Sequence, residues 1–382
     1  MSRNTHAIEI ALTEFTARFL WRYLRPFVRR YLSRRCCRCI LSECYSPLDE
    51  SGRCAVCAEY FKVVVPRDQE NKSAHEIEHR LDQLLREYMG KASGPYDAVL
   101  LLSGGKDSAY LLHRMVTTYP DLRLICVLVD NGFMSPYALQ NVARILSHFD
   151  VPHVTIKPKP SFVRKVFRHT LTHLDLQQGY SIVDLMDGHI TFDHAKHFAV
   201  SYGIPLILCG LAKVQAEMVF GPTEIEFPPE QEQARLEERC GIRLRDVFDE
   251  AEMQFWFDGS QWTSDQVPRF VLPFTVWDPD EEVILSEVDR LGLISKKRSR
   301  PLVTNNALIP VIGMAEMARF GYCCWEVEFA RMVREGKSER YYWLALFEML
   351  EFSVKSGKFI NKTVVETLAQ LGLTKRDIGI GS

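Results

Sequence analysis

Between Ala98 and Leu112 the chain carries a feature that leaves few folds open. The apolar run Ala98-Val99-Leu100-Leu101-Leu102 stops at Ser103-Gly104-Gly105-Lys106-Asp107-Ser108, and an amphipathic pattern begins at Asp107. A short run apolar on both faces marks a strand buried in a parallel sheet, and the pattern that follows it reads as strand, tight turn and helix. Two glycines let the backbone of such a turn approach an anion, the first helical N–H groups point at it, and the helix dipole adds its positive end. Ser103 and Ser108 supply hydroxyls and Lys106 a positive charge. The turn therefore reads as a cradle for the phosphate tail of a nucleotide. It is neither Gly-x-x-x-x-Gly-Lys-Ser/Thr nor Gly-x-Gly-x-x-Gly.

From residue 97 to about 220 strand and helix patterns alternate, which predicts a doubly wound parallel α/β sheet. Strands are expected at 97–103, 122–129, 151–156 and 205–209. Helices are expected at 107–118, 136–149, 161–176 and 183–202. Ligands of such sheets bind beyond the carboxyl ends of the strands, so the turns 103–108, 130–135 and 210–217 should converge on one crevice. Asp184, Asp187, His189, Asp193 and His194 form a dense polar cluster in the last of these helices. A carboxylate there, Asp187 above all, could hold magnesium or orient an attacking nitrogen.

The chain of 382 residues has room for two domains with appendages; 47% hydrophobic and 25% charged content is that of an ordered globular protein. A net charge of −2 gives no overall nucleic-acid footprint. No apolar run approaches the about 20 residues of a membrane span, and the N-terminus lacks the apolar core of a secretory signal. A cytoplasmic protein is expected. Six of the eleven cysteines fall between residues 36 and 57. Cys36-x2-Cys39 and Cys54-x2-Cys57 have the spacing of two knuckles offering four thiolates to one structural zinc, with an iron–sulfur cluster as the competing metal.

Residues 1–35 read as a basic amphipathic helix, with Arg18, Arg22, Arg25 and Arg29 on one face and Pro26 as a complication. It either packs on its own protein or lies, over residues 7–32, on an anionic membrane surface or a partner. The remaining organisation is a zinc ribbon at 36–62, a helical linker at 74–92 and the nucleotide domain at 93–221. An acidic and aromatic insertion or lid follows at 222–277, then a helical C-terminal domain at 278–382. Helices are expected there at 280–292, 312–336, 339–356 and 362–371. Residues 296–300 pack four cations into five positions, an anion-binding or a solvated loop.

Ser103-Gly104-Gly105-Lys106-Asp107-Ser108 resembles the signature of the PP-loop ATP pyrophosphatases, the adenine nucleotide alpha-hydrolase-like superfamily. The turn Asp130-Asn131-Gly132-Phe133-Met134-Ser135 and the cysteine segment resemble those of the N-acetyl sugar amidotransferases within it. The likeness spans residues 36 to 217, and the C-terminal region departs from it. The resemblance implies cleavage of ATP between its α and β phosphates, with adenylation of a carbonyl or amide oxygen followed by displacement of AMP by ammonia-derived nitrogen. It implies cofactor contacts from Ser103, Gly104, Gly105, Lys106, Asp107, Ser108, Asp130, Asn131, Gly132 and Gly210, with Asp130 facing adenosine. Asp107 would help to position Mg2+, and the loop after Gly210, with Lys213 and Glu217, would close the site. Lys106 and Lys213 would stabilise departing pyrophosphate, and Asp187 would join them as a catalytic group. No glutaminase module is recognisable, so ammonia would come free or from a separate glutaminase subunit. The expected acceptor is a sugar-like small molecule, and a homodimer is open. The alternatives are a sulfurtransferase, acting on tRNA or a small molecule through Cys209 or Cys323-Cys324, and a non-catalytic nucleotide-binding scaffold.

Overall fold

The computed structural model describes residues 2–62, 67–177, 179–221, 223–227, 232–295 and 306–381; the basic run 296–300 lies outside them. Among the described residues the strands are β1 (Ala98–Leu101), β2 (Leu124–Val129), β3 (His153–Ile156), β4 (Leu206–Leu208), β5 (Glu226–Phe227) and β6 (Arg269–Val271). They form one sheet in the order β3-β2-β1-β4-β6-β5. All neighbours run parallel except β5, which lies antiparallel on β6.

The alternation of side chains along the central strands builds two cores. Val99 and Leu101 join Ile125, Val127 and Ile207 in one layer. Leu100 and Leu102 join Cys126, Leu206 and Leu208 in the other. Both faces are covered, which is why these strands read as unbroken apolar runs. The chain steps outward from β1 to β2 and β3, then returns to the far side of β1 as β4. The connections leaving β1 and β4 therefore diverge, and a crevice opens between their carboxyl ends.

Two stretches differ from the sequence expectation. The described parts of 222–277 supply β5 and β6 to the sheet, and bury Phe248, Trp256 and Phe257. Strands of two and three residues leave no periodic signal to read. The expected helix at 312–336 is two helices, Leu308–Phe320 and Cys324–Arg334, broken at Gly321, whose φ of +76° ends the first of them.

The two chain ends pack together. Ile40, Leu41 and the four knuckle cysteines share a core with Phe329, Trp343 and Phe347. Arg340 donates to the carbonyls of Cys39 and Cys36 at 2.7 and 2.8 Å. Arg35, wholly buried, bridges Glu326 and Glu351. The N-terminal segment runs as helix Ser2–Phe15, a π turn Thr16–Leu20 and helix Trp21–Val28, which keeps Pro26 inside it. Its Trp21 and Arg25 bond Glu348 of the long helix Arg340–Ser356. No helix among the described residues is long and apolar enough to cross a membrane.

Candidate active site

A cavity of about 300 Å³ opens at the switch point between β1 and β4. Its floor is the turn after β1. Gly104 has φ +78°, and a Cβ there would lie 2.3 Å from the carbonyl oxygen of Ala138. The Asn141 side chain donates to the Gly104 carbonyl at 3.0 Å, so the turn is clamped onto helix Pro136–Phe149. Gly105 stands at the N-cap of helix Lys106–Thr118 and offers no side chain there. The hydroxyls of Ser103 and Ser108 lie 3.2 Å apart, and Lys106 Nζ donates to both carboxylate oxygens of Asp107 at 2.9 and 2.8 Å. Gly210 lets the exit from β4 pass close by, since a Cβ there would sit 3.3 Å from the Asp107 carbonyl oxygen. Gly104→Ala should therefore cost about 2–3 kcal/mol, from backbone strain and overlap together. Urea unfolding measures that loss, and nucleotide affinity should fall with it.

The second turn supplies the next wall. Asp130 accepts from the Gly132 N–H at 3.0 Å and Asn131 accepts from the Phe133 N–H at 2.9 Å, which folds the turn back on itself. The Asn131 side chain then donates to one oxygen of Asp187 at 2.7 Å, and Asn306 donates to the other at 2.9 Å. Burial pushes the Asp187 carboxyl up to about 7; the Asn131 bond opposes the rise and the negative Asp184 adds to it. Asn306 is itself tied to the turn by a backbone bridge to Met134.

The far wall comes from helix Ile182–Ser201. Asp184 lines the cavity and accepts from Tyr180 and from Trp325 Nε1, and burial raises its pKa. Behind it lies a smaller cavity of about 110 Å³, which shares Asp184 and Gln215 with the first and is lined by Trp325, Glu328 and Trp343. Glu328 is buried, and its Oε2 has no hydrogen-bond partner. Burial first and Asp184 next push its carboxyl up to about 8, against the pull of Lys106. Glu328 thus feels the charges of Lys106, Asp107 and Asp184 across the two cavities.

Of the residues expected from sequence, Ser103, Gly105, Lys106, Asp107, Ser108, Asn131, Asp187 and Gly210 line one cavity. Gly104 lies beneath the turn. Asp130, Gly132 and Lys213 are not among the lining residues; Asp130 pairs with Lys157 at 3.7 Å, and Lys213 opens helix Lys213–Phe220, whose Gln215 and Val219 line the cavity. Glu217 pairs with Arg331 and so joins that helix to Cys324–Arg334. The acidic cluster divides. Asp184 and Asp187 face the cavity, whereas Asp193 accepts from the Phe257 N–H at 3.1 Å and His189 is buried, held neutral with its pKa down at about 3. Cys209 lies in the cavity wall, with burial pushing its thiol up to about 12. Cys323 and Cys324 are wholly enclosed, and burial raises both thiols. Sequence reasoning missed Tyr180, Gln215, Asn306, Trp325 and Glu328. No local pattern in the sequence marks them, because tertiary packing alone brings them to the two cavities.

Cys36, Cys39, Cys54 and Cys57 are fully buried, and their sulfurs all lie within 4.8 Å of one another. Cys39 and Cys54 Sγ are 3.7 Å apart. The N–H groups of Arg38 and Cys54 point at Cys36 Sγ at 3.4 and 3.3 Å, and that of Leu41 at Cys39 Sγ at 3.5 Å. Four converging sulfurs with backbone donors behind them fit a metal.

No family model matches the chain. An uncharacterized protein of Methanocaldococcus jannaschii, MJ1599, is 30% identical over 98 residues, which are 26% of this chain and 32% of that protein. The chain thus spans about a third of that relative's length. Among solved structures, the U34-tRNA thiolase NcsA of Methanococcus maripaludis with its 4Fe-4S cluster aligns at a TM-score of 0.34 and 12% identity, over 92% of this chain and 99% of that one. NMN synthetase of Francisella tularensis aligns at 0.34 and 12%, over 79% and 97%. The NH3-dependent NAD synthetase of Campylobacter jejuni aligns at 0.27 and 13%, over 49% and 80%. At such scores these superpositions carry no weight in the assignment. What the chain itself shows is a parallel α/β sheet whose Ser-Gly-Gly-Lys-Asp-Ser turn lies at the switch point and lines the cavity there.

Proposed function

We propose that the protein is an ATP-dependent adenylating amidotransferase. One observation carries the reading: Lys106, Ser108, Asn131, Asp187 and Gly210, from segments far apart in sequence, line a single cavity at the carboxyl ends of parallel strands. In this reading the loop grips the phosphates of ATP. A carbonyl or amide oxygen of the acceptor bonds to the α-phosphorus as the bond to the β-phosphate oxygen breaks, and pyrophosphate leaves. A nitrogen nucleophile then bonds to the activated carbon as its bond to oxygen breaks, and AMP departs with that oxygen. Lys106, joined by Lys213, offsets the charge that builds on pyrophosphate. In the same reading Asp107 and Asp187 would hold Mg2+ against the phosphates, and Asp130 would brace the turn that faces adenosine.

Nitrogen is favoured over sulfur by the state of the thiols. A sulfur carrier needs a thiolate supported by positive surroundings, whereas Cys209, Cys323 and Cys324 are all pushed toward the neutral form. The sulfur reading keeps one observation in its favour, the place of Cys209 in the cavity wall. For the four-cysteine group we propose zinc. Zn–S bonds of about 2.3 Å in a tetrahedron set neighbouring sulfurs about 3.8 Å apart, which the Cys39–Cys54 separation of 3.7 Å matches, while a cubane of four irons holds its thiolates farther apart. The acceptor we favour is sugar-like and small, with ammonia supplied by a separate glutaminase.

The test is pyrophosphate release from ATP with N-acetyl sugars as acceptors and isotopically labelled ammonium or sulfide as donor. Label from ammonium recovered in the acceptor supports the proposal; label from sulfide replaces it with the thiolation reading. A pH profile adds a second check. Because the Asp187 pKa is raised to about 7, the group is protonated below that value and a carboxylate above it. Turnover should rise about tenfold per pH unit below 7 and level off above it, and Asp187→Asn should remove that limb together with most of the rate.

A further inference from the structure

The N-terminal helix uses only one of its faces to hold the protein together. Ala17 and Trp21 share a core with Ala345, Met349 and Phe352 of the long C-terminal helix, and Ile10 is buried beside them along the same face. The opposite face carries Ile8, Leu12, Phe15, Phe19, Tyr23 and Phe27, all exposed, with Ile8 at 66%, Tyr23 at 60% and Phe27 at 84%. Their spacing of four, three, four, four and four residues keeps them on one side, and the π turn Thr16–Leu20 takes up the drift that four-residue steps accumulate on an α-helix. From Ile8 to Phe27 the stripe is about 28 Å long at 1.5 Å per residue. Contiguous exposed apolar surface of that extent marks an interaction site.

Charge decides what it meets. Arg18, Arg22, Arg29 and Arg30 are exposed alongside the stripe, with Arg18 and Arg22 set over the Phe19 and Tyr23 rings at 5.4 and 4.6 Å. Glu9 and Glu14 are the only acids between residues 2 and 31, and both turn inward. Glu9 accepts from the Thr363 N–H at 2.7 Å, and Glu14 accepts from the Tyr342 hydroxyl at 2.7 Å. A second copy meeting this face would set arginines against arginines with no acid between them. We propose that the outer face of the N-terminal helix docks the protein on an anionic lipid bilayer, the aromatic rings entering the headgroup boundary and the arginines pairing with lipid phosphates, with no segment crossing the membrane.

Co-sedimentation of the full chain with phosphatidylcholine vesicles, with and without phosphatidylglycerol at about three lipids in ten, tests this. Binding to the anionic vesicles should be about tenfold or more tighter than to the neutral ones. It should weaken several-fold as salt rises from about 0.1 to 0.5 M. Phe19→Asp combined with Phe27→Asp should lower it by about tenfold or more, with an unchanged melting curve and pyrophosphate release as the check on folding. Arg18→Gln with Arg22→Gln, which leaves the stripe intact, should remove much of the salt-sensitive part of the binding. No partition into anionic vesicles, or equal partition into both kinds that the aspartates leave unchanged, overturns the proposal. So does a dimer seen by light scattering that the aspartates dissociate, in the absence of vesicle binding, because the face would then belong to a second copy.

Discussion

Lys106→Ala should lower pyrophosphate release by about 10²–10³-fold, the usual consequence of removing one aligned charge from a site where negative charge develops, while the urea midpoint stays within the scatter of the wild type. The two effects separate because of where the side chain sits. Its ammonium lies at the cavity wall, where it bonds the adjacent Asp107, and the residue belongs to neither packed core of the sheet. Titration with a non-hydrolysable ATP analogue should show a smaller loss than turnover does, since the charge matters most as pyrophosphate leaves. Unchanged release in the variant would remove the loop from the chemistry, whatever else the protein does with a nucleotide.

Cys39→Ser should unfold much more than the ribbon. Structural zinc contributes on the order of 10 kcal/mol of apparent binding energy, and that binding is linked to folding. Here the ribbon shares its core with Phe329, Trp343 and Phe347, and Arg340 caps the carbonyls of Cys36 and Cys39. Loss of one ligand should therefore loosen the helices behind the active cavity as well, with a fall of about 10 °C or more in melting temperature. Metal analysis of the purified chain should give one zinc, lost in the variant. Iron and sulfide with visible absorbance would replace zinc by a cluster, and a variant that melts unchanged would mean the four thiols hold nothing.

What the sequence discloses about this site follows from how local each signal is. The strand, the two glycines and the helix start are contiguous, so 98–112 declares its geometry before any tertiary contact is known. The paired cysteine spacing works the same way, because two knuckles are each set by four residues. The turn at 130–135 is legible as a turn, yet only the structure shows that Asn131, rather than Asp130, lines the cavity: Asp130 is spent on the Gly132 N–H and Lys157. Asn306 and Glu328 were out of reach. One lies just before a helix and the other within one, and they become site residues only because the C-terminal helices fold back over the switch point. The same fold-back hides the acids. Glu316, Glu326 and Glu328 are charged residues that sequence patterning sends to solvent, and all three are buried.

The return of the C-terminal helices also fixes the order in which this fold can come into being. During synthesis the central strands and the turn after β1 emerge before the C-terminal helices, and the parallel sheet can close once Val271 is available. The Asn306 arm on Asp187 and the wall holding Glu328 are still to be made at that moment, and the ribbon at the front of the chain has nothing yet to lean on. A half-made chain thus owns the turn after β1 but no finished chamber around it, and on the adenylation proposal turnover begins only when the last helices have met the first residues.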